Sequence, residues 1–159
     1  MTPCSGCGLV VDGGAAGCHA IFEALVGRDF SDARYGRVHR LMVDVYCLQH
    51  PDEHCASAKS LAAHLMGLGW FMTHAGTRAI GPEPLRAWLD GTPHLDKPEL
   101  PPSRGLVTIA DVRHASDPAT YADAVERWAC STWDAYSSLQ VLATRWIEQA
   151  LTGQRLPRR

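Results

Sequence analysis

Between Arg37 and Pro51 the chain reads Arg-Val-His-Arg-Leu-Met-Val-Asp-Val-Tyr-Cys-Leu-Gln-His-Pro. Val38, Leu41, Val45 and Leu48 fall on one side at helical spacing, and Pro51 stands where it stops the helix. A helix with such a stripe needs a core to face. Asp44 nevertheless interrupts the stripe, three residues after Leu41 and four before Leu48. His39 opens the segment, His50 closes it, and Cys47 lies between them. Each of these residues has an ordinary explanation alone. Taken together, so much polar and metal-capable chemistry on a core helix calls for a shared one.

The flanking sequence is helical as well. A first helix is expected from Gly17-Cys18 through Ile21, Phe22, Leu25 and Val26 towards Gly27, and Ser31-Asp32 can cap the helix that ends at Pro51. After a short connection from His50 to Ala56, a third helix runs from about Ser57 to His74. Its apolar side is Leu61, Leu65, Leu68 and Met72, with Gly76 at the C-terminal cap. Residues Gly81 to Gly105 hold most of the prolines and predict one short helix, Glu83 to Leu89, inside a long irregular connection. Thr108-Ile-Ala-Asp111 opens another short helix. Asp117-Pro118 begins the last, which carries Tyr121, Val125, Trp128, Thr132, Tyr136 and Leu139 at three-to-four spacing and reaches Leu151. Strand signals are nearly absent, Leu106-Val107 being the best. The expected fold is all-α, a bundle of about four main helices with an N-terminal Cys-rich metal knuckle. In this reading residues 1–18 form the knuckle, 19–151 the helical body and 152–159 a flexible tail. A chain of 159 residues makes this one domain, burying roughly two-thirds of its unfolded surface.

A formal charge of −2, with no basic face, excludes a nucleic-acid footprint. No apolar run approaches the roughly 20 residues that span a bilayer, so no membrane partner is expected. The N-terminus lacks a charged region followed by an apolar core, so the expected compartment is the cytoplasm. There the six cysteines are thiols rather than a disulfide framework. Oligomeric state leaves no mark in the sequence.

Cysteine placement is uneven. Cys4-x2-Cys7 is a short chelating turn, two thiolates of a Gly-containing loop that can grip one tetrahedral ion. Cys18 adds a third ligand at a helix start, where a thiolate is electrostatically favoured. The competing reading is a redox pair, but redox Cys-x-x-Cys motifs open a helix after a strand, and no strand precedes this one. The expected cofactor is therefore Zn²⁺ or another divalent transition metal. For the fourth ligand His50, His19, Cys47, His54 and Cys55 compete, and Cys47, His50, His54 and Cys55 can also be read as a cluster of their own. His39 is excluded: it stands eleven residues before His50 on one helix, roughly 16 Å away. His50, at the helix end where the chain is free to turn, is the choice. Cys4, Cys7, Cys18 and His50 thus form the expected metal set.

A second constellation joins Asp44 to His64. Leu61, His64 and Leu68 repeat the order of Leu41, Asp44 and Leu48, so helices packed antiparallel about a turn near residue 54 bring positions 44 and 64 together. A carboxylate beside an imidazole fixes its tautomer and makes it a better base or ligand. The competing reading pairs Asp44 with Arg40 one turn back at the surface and leaves Val45 and Leu65 to fill the core. His19, His74, His94 and His114 lie near helix or loop boundaries and are expected to be solvated. Trp128, Trp133, Tyr136 and Trp146 read as core or groove wall. No Gly-x-Ser-x-Gly elbow and no phosphate-cradling Gly loop is present.

Gathered together, Cys4-x-x-Cys7-Gly8, Gly17-Cys18, Val38-His39-Arg40-Leu41-x-Val43-Asp44-x-Tyr46-x-x-Gln49-His50-Pro51, His64-Leu65 and Val107-Thr108-x-x-Asp111-Val112 resemble a bacterial family, domain of unknown function 5946. The likeness covers most of the chain, and its most specific part is the helix ending in Gln-His-Pro. It supports a metal site and implies no particular activity. This chain departs from the family between Asp12 and Cys18, where Gly-Gly-Ala-Ala is shorter than the usual insert and lacks its histidine. That departure strengthens His50 as fourth ligand or leaves the site open. Two functional readings follow. One is a protein whose metal ties the knuckle to the second helix, with an Asp44/His64 pocket for a small molecule. The alternative is an enzyme acting on a small molecule, in which the metal keeps an open position or His64 is a base oriented by Asp44, these two being the catalytic candidates. A binding module using Gly81–Gly105 as its partner surface is a third class.

Overall fold

The computed structural model describes residues 1–74 and 82–153. Near the N-terminus β1 (Thr2–Pro3) pairs antiparallel with β2 (Val10–Val11), so a short strand does precede Cys4, contrary to expectation, although the Cys4-x2-Cys7 turn opens no helix. All other regular elements among the described residues are helical. These are α1 (Ala15–Ser31), α2 (Ala33–Gly36), α3 (His39–Gln49), α4 (Pro51–His54), α5 (Ala58–His74), α6 (Glu83–Asp90), α7 (Ala110–Arg113), α8 (Pro118–Ala135) and α9 (Gln140–Gly153), with a 3₁₀ turn at Ser137–Leu139 before α9. The all-α expectation holds, with five long helices among the described residues rather than about four. No helix among the described residues is long and apolar enough to cross a membrane.

Helix α3 is the axis of the packing. It lies against α5 and α8, while α9 covers α5 and α6. From Leu41 to Pro51 every residue except Val43 is buried, so the helix is enclosed on nearly all sides rather than along one stripe. Pro51 ends α3 as expected and serves as the first residue of α4.

Three boundaries differ from expectation. Helix α1 continues through Gly27 to Ser31. One glycine inside a helix costs about 1 kcal/mol, too little to end one whose next turn carries Asp29 into the core. Asp32 consequently caps the short α2, its carboxylate accepting from the Arg34 amide at 2.9 Å, and α3 begins only at His39. The last helix is broken at Tyr136. A continuous helix from Pro118 to Leu151 would be roughly 50 Å long, far beyond what α3 and α5 offer to cover. Instead Tyr136 turns inward and its hydroxyl donates to the Leu48 carbonyl at 2.5 Å, and α9 folds back on α5. Leu106-Val107 is not a strand. Its two amides donate to the Ser131 hydroxyl at 3.0 and 3.2 Å, so a side chain takes the place of a ladder partner. The expected cap Gly76 lies outside the described residues, as does the expected tail beyond Gly153.

Gln49 fastens this arrangement. It is fully buried, and its amide donates to the carbonyls of Arg104 (2.9 Å) and Val107 (2.8 Å) while its oxygen accepts from the Trp128 indole (2.9 Å). One side chain therefore ties the irregular connection and α8 to the end of α3. Replacing it with a shape-similar leucine strands two carbonyls and an indole N–H without water. Gln49→Leu is expected to lower stability by about 2–4 kcal/mol in denaturant unfolding, with helical content retained by circular dichroism.

Candidate metal centre

The hairpin loop carries Cys4 and Cys7, α1 carries Cys18 in its first turn, and His50 sits at the junction of α3 and α4. The structure brings the four together: their sulfur and nitrogen ligand atoms all lie within 4.8 Å of one another. Cys4 Sγ and Cys18 Sγ are each 3.4 Å from His50 Nε2, and Cys7 Sγ is 3.7 Å from Cys18 Sγ. An ion holding sulfur at about 2.3 Å and imidazole nitrogen at about 2.0 Å in a tetrahedron sets the sulfur–sulfur and sulfur–nitrogen edges at about 3.8 and 3.5 Å. The donor set fits such an ion in both chemistry and spacing.

His50 is oriented from behind. Its Nδ1 donates to the Tyr46 carbonyl at 2.7 Å, which leaves the Nε2 lone pair facing the sulfurs. The imidazole stacks on Tyr46, with centroids 4.1 Å apart, and Tyr46 stacks in turn on Phe22 of α1 at 3.9 Å. Glycine at position 6 is what admits the loop here, since a Cβ there would collide with the His50 ring and crowd the Gln49 carbonyl. Without a cation the donors polarise one another. The hydrogen bond from Cys18 pulls the Cys7 thiol far below its ordinary range, and that bond together with burial pushes Cys18 up. Burial works against protonation of His50, but the Cys7 thiolate and the Tyr46 carbonyl outweigh it and raise the imidazole to about 9.

The competing fourth ligands lie elsewhere. Cys47 and Cys55 are buried in the core, where burial raises their thiols to about 12 and about 11, and Cys55 donates to the Cys47 carbonyl. They do not join His50 and His54 in a cluster. His19 keeps its side chain 44% exposed, with its Nδ1 3.4 Å from the Tyr46 hydroxyl. His74 is half-buried and stacks on Trp70, whereas His94 and His114 are exposed as expected. His39 stands apart from the donors: its Nδ1 meets Asp29 at 3.0 Å, an acid whose side chain is 1% exposed.

Asp44 meets both of the partners weighed for it. Its Oδ1 accepts from His64 Nδ1 at 2.9 Å, and Arg40 Nε reaches both carboxylate oxygens at 3.1 and 3.2 Å. The carboxylate is buried, with its side chain 1% exposed, and does not point into solvent. Gly67 of α5 makes this approach fit, because a Cβ at that position would overlap Asp44 Oδ2. Asp44 also forms part of the wall of a cavity of about 400 Å³ between α3 and α5. Arg37, Trp70, Phe71 and His74 line that cavity too, and sequence reasoning did not find them. The available signal was the pairing of Arg37 with Arg40 and of Trp70 with His74 at one-turn spacing.

These features define a helical protein with a Cys₃His cluster able to hold a metal ion. Residues 2–137 match the model of the family of unknown function DUF5946, and the chain belongs to that family. The matched span contains all four cluster residues as well as Asp44 and His64. No curated protein and no solved structure matches the chain.

Asp44→Asn keeps the shape of the buried side chain but removes the charge that Arg40 and His64 share. It is expected to lower stability by about 1–3 kcal/mol in denaturant unfolding, and His64→Gln by a smaller amount within that range, because the Arg40 contact remains.

Proposed function

We propose that Cys4, Cys7, Cys18 and His50 bind one Zn²⁺ that serves a structural role, tying the knuckle of residues 1–18 to the end of α3. The observation that carries this reading is the ligand count: four protein donors at tetrahedral spacing leave no position for water or substrate. The orientation of His50 by Tyr46 supports it, since ligating imidazoles are held this way by a second hydrogen bond. Binding to a site that exists only in the folded chain adds directly to folding free energy.

A second reading assigns Asp44 and His64 to acid–base chemistry on a small molecule, in keeping with a buried carboxylate that fixes the imidazole. With Nδ1 donating to Asp44, the Nε2 of His64 faces away from it and is available as base or ligand. The mutant pair distinguishes roles: if Asp44 and His64 act only in the fold, His64→Gln changes stability alone.

Elemental analysis of purified protein is expected to find about one equivalent of zinc, the count of a single four-donor site. Cys7→Ser should lose the metal together with several degrees of melting temperature, and Gly6→Ala should weaken metal retention without removing a ligand. Protein that never carries metal, with Cys7→Ser unchanged in melting temperature, overturns the structural reading. The pH dependence has a definite sign. In the metal-free chain His50 is protonated up to about pH 9 and the Cys18 thiol is raised, so both must lose protons to bind. Adding Zn²⁺ to metal-free protein at neutral pH should release protons into a weakly buffered solution, and acidification should expel the ion.

A further inference from the structure

We infer that the cavity between the start of α3 and the second half of α5 binds a small organic carboxylate with a flat apolar body. This site is separate from the metal donors, and the inference does not depend on proton chemistry at His64. At about 400 Å³ the cavity falls in the range of small-molecule sites, roughly 300–1,000 Å³. Its apolar wall is made by Val38 and Leu41 on one side and by Trp70 and Phe71 on the other. The Trp70 ring is held in place by the stacked imidazole of His74, with centroids 3.8 Å apart and planes 12° from parallel. A rigid indole in the wall of a cavity is a surface for a planar ligand.

The charged residues select the sign of that ligand. Arg37, Arg40 and Asp44 all contribute to the wall. Arg40 directs its Nε to Asp44, and its two terminal nitrogens bond to no described residue. Its guanidinium is thereby oriented by a carboxylate that is itself fixed by His64 and by the close approach of Gly67. Arg37, in the turn before α3, donates its backbone N–H to the Tyr35 carbonyl, while its guanidinium has no hydrogen bond or ion pair with any described residue. Two guanidinium groups against one carboxylate leave a surplus of one positive charge beside an apolar wall. Planar forks of donors match a carboxylate in geometry. The surplus is neutralised by a monoanion, whereas a phosphate monoester dianion would overcharge the site. Asp44 would also repel a second negative group placed deeper in the cavity.

The test uses metal-loaded full-length protein and follows the indole N–H resonance of Trp70, assigned with Trp70→Phe. Naphthalene-2-carboxylate and indole-3-acetate are titrated beside naphthalene-2-carboxamide and 2-naphthyl phosphate. Both carboxylates are expected to shift Trp70 saturably, with the carboxamide weaker by about tenfold or more, the equivalent of one charge-assisted contact. Arg37→Gln should weaken carboxylate binding by about tenfold at unchanged melting temperature, and Arg113→Gln, on α7, should have no effect. The absence of a saturable shift with either carboxylate up to about 10 mM overturns the proposal. Equal binding of the carboxamide, or insensitivity to Arg37→Gln, reduces the cavity to an apolar groove and overturns the charge argument. Tighter binding of 2-naphthyl phosphate than of naphthalene-2-carboxylate overturns the assignment of a carboxylate.

Discussion

A carboxamide buried without water costs free energy unless each polar atom finds a partner, and Gln49 meets that condition in one place only. Its two donors go to the 104–107 connection and its acceptor to Trp128 on α8. The residue before it offers its carbonyl to Tyr136, and the residue after it turns its imidazole to the cysteine loop. Three consecutive residues at the end of α3 thus set the positions of the irregular connection, the break between α8 and α9, and the N-terminal knuckle. Moving this helix end would strand all of those partners at once.

The other polar residues near α3 follow the same logic. Asp44 is paired with Arg40 and His64, and Asp29 reaches back from α1 to His39. Apolar helix faces tolerate sliding, because leucine and valine repack at small cost. A buried carboxylate does not tolerate it, since a displaced charge loses its partner. Asp44 opposite His64 and Gly67 therefore fixes the level at which α5 lies on α3. A cavity remains beside that contact, with charged residues along part of its wall.

The N-terminal loop presents a different problem. Its sheet is only two residues long on each strand, Met1 and Val10 are largely exposed, and Cys4 is buried. Two short strands cannot hold such a loop on their own. What it does possess is a set of donors converging with Cys18 and His50, and a glycine between the two thiols that lets it approach the helix end. The proposed ion at that point would supply the stability that buried apolar area does not.

Local features were legible without the fold. Helix caps such as Asp117 and stops such as Pro51 act within a few residues, and so they could be read directly. The rise per residue was enough to separate His39 from His50, and matched spacing on two helices joined by a short connection was enough to bring Asp44 opposite His64. Other features depend on residues distant in the chain and carry no local signature. The chain alone left Arg40 and His64 as competing partners of Asp44, whereas packing gave it both, because a side chain buried between two helices is reached from each. Gly6 looks like any turn glycine until the His50 ring is placed against it. Gln49 became a fastening point only when α8 and the 104–107 connection closed over it. Tyr136 fitted a continuous helical pattern, yet the helix breaks there because the partner for its hydroxyl lies on α3. Spacing along the chain determined which groups had to be brought inside, and close packing decided which of them met, since only there does leaving a polar group unpaired exact its full cost.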